Sequence, residues 1–184
     1  MKDLKHVVLG VAGSIAAYKA AEIANLLVKS GIDVHVIMTS AATKLIAPLT
    51  FQSLTKNKVY TDMFAEIAHS EIKHVSLAQK ADICVIAPAT ANIIGKIASG
   101  IADDMLSTTT MAMAASKPVI ICPAMNTAMW ENPIVQENIG KLKEHGCKFI
   151  DPRESRLACG DLGKGALADV NEIVGAIKQA LGVD

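Results

Sequence analysis

The stretch KPVIICPAMNTAMW, residues 117–130, decides how this chain is read. Val119, Ile120, Ile121 and Cys122 form an apolar run between Pro118 and Pro123. A short apolar run of this kind, rich in β-branched residues, reads as a strand buried on both faces of a parallel sheet. Pro123 ends the run and delivers Ala124, Met125 and Asn126 into a strand-to-helix turn. Ligands of parallel α/β sheets collect beyond the carboxyl ends of the strands. Asn126 is therefore a polar side chain at the edge where such folds do their chemistry.

Outward from this stretch, strands and helices alternate. Residues 6–12 read as a first strand, 14–30 as an amphipathic helix stopped at Gly31, and 33–38 as a second strand. Residues 47–70 are less regular. A helix starting near Lys73 leads into a strand at 83–87, and the turn Pro88-Ala-Thr-Ala-Asn92 opens a helix that reaches about Gly100. Residues 102–115 read as a helix with an acidic start, as its dipole prefers. The helix after Asn126 is interrupted near Pro133; residues 147–150 form a last short strand and 171–181 a closing helix. The alternation predicts one α/β domain over residues 1–184, a doubly wound, Rossmann-like parallel sheet with helices on both faces. The 18 residues from Asp151 to Ala168 stand out as a long loop with three glycines, and loops of that length in a compact domain are commonly functional lids.

Composition narrows the class. Lys and Arg number 18, balanced by 18 Asp and Glu, and aromatics are 3%. Neither the electrostatic footprint nor the stacking surface of a nucleic-acid binder is present. No apolar run approaches the ~18 residues of a membrane span, and the N-terminus does not read as a signal peptide. The four cysteines lack C-x-x-C spacing, which points to a reduced, cytoplasmic protein. Cys84, Cys122 and Cys147 fall in or beside strand-like runs, where a free cysteine behaves as a small apolar residue. Cys159 instead lies in the 151–168 loop, near Arg156, Asp161 and Gly160. Hydrophobic residues make up 51% of the chain and mean hydropathy is +0.35. That surplus predicts surface buried between subunits of a homo-oligomer.

Several segments meet at one rim. In a parallel α/β sheet each crossover helix begins at the carboxyl edge, which places Gly13-Ser14, His74, Pro88–Asn92 and Pro123–Asn126 together. Gly13 and Ser14 put backbone N–H groups and a hydroxyl at a helix start, an arrangement that suits a phosphate and equally an ordinary capped turn. The segment is neither G-x-G-x-x-G nor a Walker A loop. A helix start disfavours positive charge, so His74 there is suited to accepting a proton, although such a histidine is more often structural. His69, Glu71 and His74 lack the i, i+4 histidine pair of a helical zinc site, and no metal is expected.

The combination of His74, Pro88-Ala-Thr-Ala-Asn92, Pro123-Ala-Met-Asn126 and Ala158-Cys-Gly-Asp-Leu-Gly-Lys-Gly165 resembles the homo-oligomeric, flavin-containing cysteine decarboxylases. The match runs in order through nearly the whole chain. The resemblance implies FMN, with its phosphate near Gly13, Ser14 and Ile15 and further contacts from Thr39, Thr90, Ala91, Asn92 and Ala124. It implies trimers, often assembled into dodecamers, with the flavin where subunits meet. The 151–168 loop becomes a flap over the substrate that carries Cys159, with Arg156 and Ala158 holding the substrate beside it. Relatives commonly continue the flap with Arg-Met where this chain has Ala166 and Leu167. The chain ends at Asp184, which reads as a stand-alone decarboxylase supplied by a separate synthetase.

The implied reaction converts 4'-phospho-N-pantothenoylcysteine to 4'-phosphopantetheine in coenzyme A biosynthesis. Loss of carbon dioxide from a simple amino acid would leave an unstabilised carbanion. Oxidation of the cysteinyl side chain to a thioaldehyde supplies the missing electron sink. His74 is then the base of that oxidation, Asn126 the donor that orients the departing carboxylate, and Cys159 the acid that protonates the resulting enethiolate. Three alternatives share the fold: a peptidyl-cysteine decarboxylase, a flavin prenyltransferase, and a non-catalytic flavin-binding regulatory subunit. The flap cysteine has no evident task in the last two.

Overall fold

The computed structural model describes residues 4–64, 73–156 and 162–183, without the side chains of Lys73, Arg156 and Leu162. A six-stranded parallel sheet forms its centre, built from β1 (His6–Val11), β2 (Asp33–Met38), β3 (Val59–Tyr60), β4 (Ile83–Ala89), β5 (Val119–Pro123) and β6 (Lys148–Phe149). Their spatial order is β3-β2-β1-β4-β5-β6. The order reverses direction at β1 and β4, which creates a crevice between their carboxyl ends.

Strand periodicity divides the core into two layers. Val7, Leu9 and Val11 of β1, with Val34, Val36 and Met38 of β2, face α1 (Ala17–Lys29), α2 (Pro48–Thr55) and α8 (Val170–Leu181). Val8, Ile37, Cys84, Ile86, Val119 and Ile121 face the other way. That second layer holds α3 (Lys73–Lys80), α4 (Ala91–Ala98), α5 (Met105–Ala114) and α7 (Pro133–Glu144). All seven residues of β4 are buried, as a central strand covered on both faces requires. Among the described residues, no helix is long and apolar enough to cross a membrane.

Several boundaries differ from the sequence reading, each for a local reason. α5 starts at Met105, not at residue 102, because Asp104 accepts from Ser107 N at 2.8 Å and closes a capping box with it. The interruption near Pro133 is a change of helix. α6 (Thr127–Trp130) ends, and Asn132 caps α7 through Ile134 N at 2.9 Å, with Pro133 in the first turn. The proline has no N–H to leave unsatisfied there. Part of the segment read as irregular is regular, namely α2 and β3. The largest correction concerns residues 151–168. Instead of an open loop, β7 (Arg153–Arg156) and β8 (Leu162–Ala166) pair antiparallel as a separate two-stranded ribbon. Its strands are too short for an alternation of polar and apolar residues to be read.

At the opposite edge of the sheet from the crevice lies a charged cluster. Asp33 Oδ2 accepts from His6 Nδ1 at 2.8 Å, His35 Nε2 at 3.0 Å and Lys80 Nζ at 3.2 Å, while Asn57 Nδ2 donates to Oδ1 at 2.6 Å. His6, Asp33 and His35 have the composition of a metal site. The ammonium of Lys80, also 3.2 Å from His35 Nε2, already occupies the position a cation would take. Burial alone would raise the Asp33 carboxyl, but the bond from Asn57, the charge of His35 and the bonds from His6 and Lys80 hold it well below the usual carboxylate range.

A depressed carboxyl contributes stability that is complete above its unfolded value, about 3.9, and is lost as pH falls toward the folded one. Asp33→Asn is therefore expected to lower the urea-unfolding free energy at pH 7 by about 1–3 kcal/mol. The difference from the native chain should shrink as the buffer is taken below the unfolded carboxyl value. A gap that stayed constant with pH would separate the stability of Asp33 from its charge.

Candidate active site

Backbone hydrogen bonds tie the strand ends of the crevice together. Ala12 N donates to Pro88 O at 3.1 Å, Ala124 N to Ala89 O at 2.9 Å, and Thr39 N to Val11 O at 3.0 Å. Each of these residues lies just beyond or at the end of a parallel strand, so the turns after β1, β2, β4 and β5 are held as one rim. A cleft of about 510 Å³ opens on this rim, lined by Gly13, Ser14, Ile15, Thr90, Ala124 and Asn126 among others. That volume is within the range of small-molecule and cofactor sites.

The turn after β1 leaves backbone donors at a helix start. Ser14 N donates to Ala12 O at 2.8 Å and Ala17 N to Ser14 O at 2.8 Å, while Ser14 Oγ accepts from Ala16 N at 3.4 Å. The helix proper begins at Ala17, so Ser14 starts the lead-in turn and is not itself the helix cap. Among the described residues, the N–H groups of Gly13 and Ile15 have no protein acceptor. Both stand at the positive end of a 13-residue helix, where backbone donors and the dipole favour phosphate.

Asn126 caps α6 with Oδ1, which accepts from Ala128 N at 2.9 Å. The cap fixes the carboxamide with its acceptor end on the helix, which orients the side chain at the cleft. Thr90 caps α4 in the same manner, accepting from Ile93 N at 3.4 Å. The β7–β8 ribbon forms the facing wall with Arg153, Ser155 and Gly165. Met125 N donates to Gly165 O at 2.9 Å, and a Cβ on Gly165 would overlap the carbonyl oxygen of Met125.

The predicted site residues divide into three sets. Gly13, Ser14, Ile15, Thr90, Ala124 and Asn126 line one cleft. Thr39, Ala91, Asn92 and His74 lie at turns or helix starts of the same rim but do not line it. Thr39 caps the turn after β2 through Ala42 N at 3.2 Å. His74 is half-buried in the first turn of α3, whose Leu77 and Ala78 pack in the layer shared with α5 and α7. His74 thus starts a helix at the carboxyl side but stands apart from Asn126 within the chain: the cleft opens beside α1, and α3 packs on the other face of the sheet. Ala158 and Cys159 lie outside the described residues, as does the side chain of Arg156.

Tyr18, Lys19 and Arg153 also line the cleft, and the sequence reading did not single them out. The only signals were position: two residues in the first turn of α1, and a cation at the start of the 151–168 segment. The other cysteines are not competitors for reactivity. Burial pushes the Cys84 thiol up to about 12 and raises Cys122 and Cys147 as well, so none is available as a thiolate near neutrality.

A doubly wound sheet with a polar turn, a helix N-terminus and a capping asparagine around one cleft defines an α/β protein with a candidate ligand site at its topological switch point. A family model described as Flavoprotein matches residues 1–182, and the chain belongs to that family. It is 47% identical over 177 residues to the probable phosphopantothenoylcysteine decarboxylase of Streptococcus mutans, spanning 96% of this chain and 99% of that protein. It is 49% identical over 174 residues to the coenzyme A biosynthesis bifunctional protein CoaBC of Bacillus subtilis, spanning 95% of this chain and 42% of that longer protein. Among solved structures, a cysteine-to-serine mutant of PPC decarboxylase complexed with pantothenoylaminoethenethiol superposes with a TM-score of 0.89 at 32% identity, over 97% of this chain and 99% of that one. The FMN binding protein AtHal3 gives a TM-score of 0.83 at 33% identity over 95% of each chain. The family sets the cofactor class as a flavin.

The close approach at Gly165 gives a direct test. Gly165→Ala should leave the central sheet intact and lift the ribbon from the turn after β5. The Met125 amide is expected to exchange with deuterium at least about tenfold faster, the equivalent of roughly 1.4 kcal/mol of local opening. An unchanged exchange rate would show that the ribbon is not held by this contact.

Proposed function

We propose that the protein is an FMN-dependent decarboxylase that converts 4'-phospho-N-pantothenoylcysteine to 4'-phosphopantetheine, the coenzyme A step named for its relatives. The observation that carries this reading is Asn126, the N-cap of α6, on the same cleft as the turn at Gly13–Ile15. FMN, when bound, would be held by Gly13, Ser14, Ile15, Thr90 and Ala124 and would supply the reversible two-electron redox chemistry that gives the departing carboxylate an electron sink.

The chain's own residues bind, orient and move protons. Asn126 donates through Nδ2 to the substrate carboxylate, fixing the bond that breaks. It is neutral, so no ion pair has to be pulled apart as the carboxylate loses its charge. His74 accepts the proton released when the thiol side chain is oxidised, and Cys159 donates one to the enethiolate left after carbon dioxide departs. Oxidation and reduction cancel over the cycle, and no external oxidant is consumed.

His74 does not line the cleft of its own chain, which supports a site shared between subunits. Around the cleft, Ile15, Tyr18 and Met129 leave 66%, 63% and 47% of their surface exposed. A second copy of the chain would cover such an apolar margin and bring its own His74. The assembly in this reading is a trimer, with trimers grouping into dodecamers, in the cytoplasm. A separate synthetase supplies the substrate.

Turnover of phosphopantothenoylcysteine by the yellow, FMN-loaded protein is the decisive assay; a colourless protein that gains no flavin absorbance with FMN would overturn the reading. His74→Asn should block the oxidation, lowering kcat by roughly 10²–10⁴-fold. Cys159→Ala should still release carbon dioxide but fail to complete the final reduction. Normal product at the native rate from the Cys159 variant would remove its acid role. Co-assembling inactive His74→Asn and Asn126→Ala chains should restore part of the activity, and no recovery would place both groups in one subunit.

A further inference from the structure

We propose that His6, Asp33 and His35 form a binding site for a divalent transition-metal ion, with the Lys80 ammonium holding its place when no ion is bound. The site lies at the amino edge of the sheet, away from the cleft, and stands independently of the function proposed above.

The strand ladder assembles the three side chains. β1 and β2 run parallel, with His6 opposite Asp33 in the register. Residues opposite each other on neighbouring strands share a face of the sheet, and so do residues two apart on one strand. His6, Asp33 and His35 are therefore brought together by backbone geometry alone. Asp33 Oδ2 stands 2.8 Å from His6 Nδ1 and 3.0 Å from His35 Nε2, and all three ligand atoms lie within 4.8 Å of one another. Ligand atoms about 2.0–2.1 Å from a common ion are about 2.9 Å apart when they bind at right angles. The two separations from Asp33 match that spacing.

The surrounding bonds hold the ligands in place. Asn57 Nδ2 donates to Asp33 Oδ1 at 2.6 Å and to Val34 O at 2.9 Å, which leaves Oδ2 facing the histidines. His6 N donates to Asp82 Oδ2 at 2.7 Å, and Asp82 N donates to His6 O at 2.8 Å. Outer-shell bonds of this kind orient metal ligands.

His35 points to a cation directly, because neither tautomer suits its neighbours. Its Nε2 lies between an acceptor, Asp33 Oδ2, and a donor, Lys80 Nζ at 3.2 Å, and can serve only one of them. Its buried Nδ1 has no partner among the described residues. With a proton on Nε2, the Lys80 ammonium faces an N–H group. With the proton on Nδ1, the lone pairs of Nε2 and Oδ2 face each other at 3.0 Å. An ion ligated by both atoms uses both lone pairs and removes the conflict. The Lys80 side chain is 50% exposed, so its long stem can withdraw into solvent as the ion enters. Two imidazoles and one carboxylate suit Zn2+, Ni2+ or Cu2+, whereas Mg2+ and Ca2+ prefer oxygen ligands.

Equilibrium dialysis of the metal-stripped, untagged full chain against Zn2+ tests the site. The native protein should bind one ion per chain that His6→Ala binds at least about tenfold to a hundredfold more weakly, the cost of losing even an outer-shell partner. Asn57→Ala should weaken the same binding about tenfold. Lys80→Ala should tighten it, on the order of threefold to tenfold, because a competing cation is gone. Mg2+ in roughly hundredfold excess should leave the bound Zn2+ in place. Cu2+ bound to the native protein should show electron paramagnetic coupling to two imidazole nitrogens, a readout that needs no variant to fold. No bound Zn2+, equal affinity in the native and His6→Ala proteins, or displacement by Mg2+ would overturn the proposal. Unchanged or weaker binding by Lys80→Ala would overturn it as well, and so would a Cu2+ spectrum without imidazole nitrogens.

Discussion

The site depends on one backbone hydrogen bond, from Met125 N–H to the carbonyl of Gly165 at 2.9 Å. Met125 belongs to the turn that leaves the buried strand β5, and Gly165 to a ribbon that, among the described residues, makes no ladder with the main sheet. The bond is possible because residue 165 has no side chain; a Cβ there would overlap the Met125 carbonyl. Gly163 repeats the constraint against Thr127 at the start of α6. Two glycines thus let the ribbon lie on the turn that carries Asn126. Without them the cleft would keep its floor and lose its facing wall.

Charge is placed differently at the two ends of the sheet. At the amino edge, Asp33 is satisfied by Asn57, His6, His35 and Lys80, so its carboxylate is fully engaged within the protein. At the carboxyl edge the polar groups are caps and turn donors: Ser14, Thr90, Asn126 and the N–H groups of Gly13 and Ile15. These groups organise the helix starts that border the cleft. Such a site is preorganised by the fold itself, which is the condition under which fixed dipoles act strongly on a bound charge.

The alternation of strands and helices, and with it a parallel sheet covered on both faces, was legible because β-strand and helix periods leave different apolar patterns. The run Val119–Pro123, buried at every position, could be nothing but a central strand once Pro123 ended it. Asn126 was legible for the same reason, since the topology fixes which edge a strand-to-helix turn occupies. The ribbon was not. Arg-Glu-Ser-Arg and Leu-Gly-Lys-Gly-Ala carry no apolar alternation, and their pairing is defined by docking on Met125, a contact remote in sequence. Arg153 was missed with it. His74 stands at the start of a crossover helix, as its place before β4 predicts, but helices leave the rim on two faces of the sheet. Carboxyl-edge position alone cannot distinguish a residue above the crevice from one behind it.

In the proposed reaction the two ends of the substrate pose opposite electrostatic problems. The carboxylate is consumed, so a cation bound to it would stabilise the ground state and lose that stabilisation as carbon dioxide forms. Only interactions stronger in the transition state than in the ground state accelerate the chemical step. A neutral donor such as Asn126 orients the carboxylate while keeping that penalty small. The phosphate is unchanged from binding to release, so contacts to it are uniform along the reaction and belong in KM. The same reasoning makes a carboxamide at residue 126 the consequence of one requirement: steer the anion that leaves without holding it.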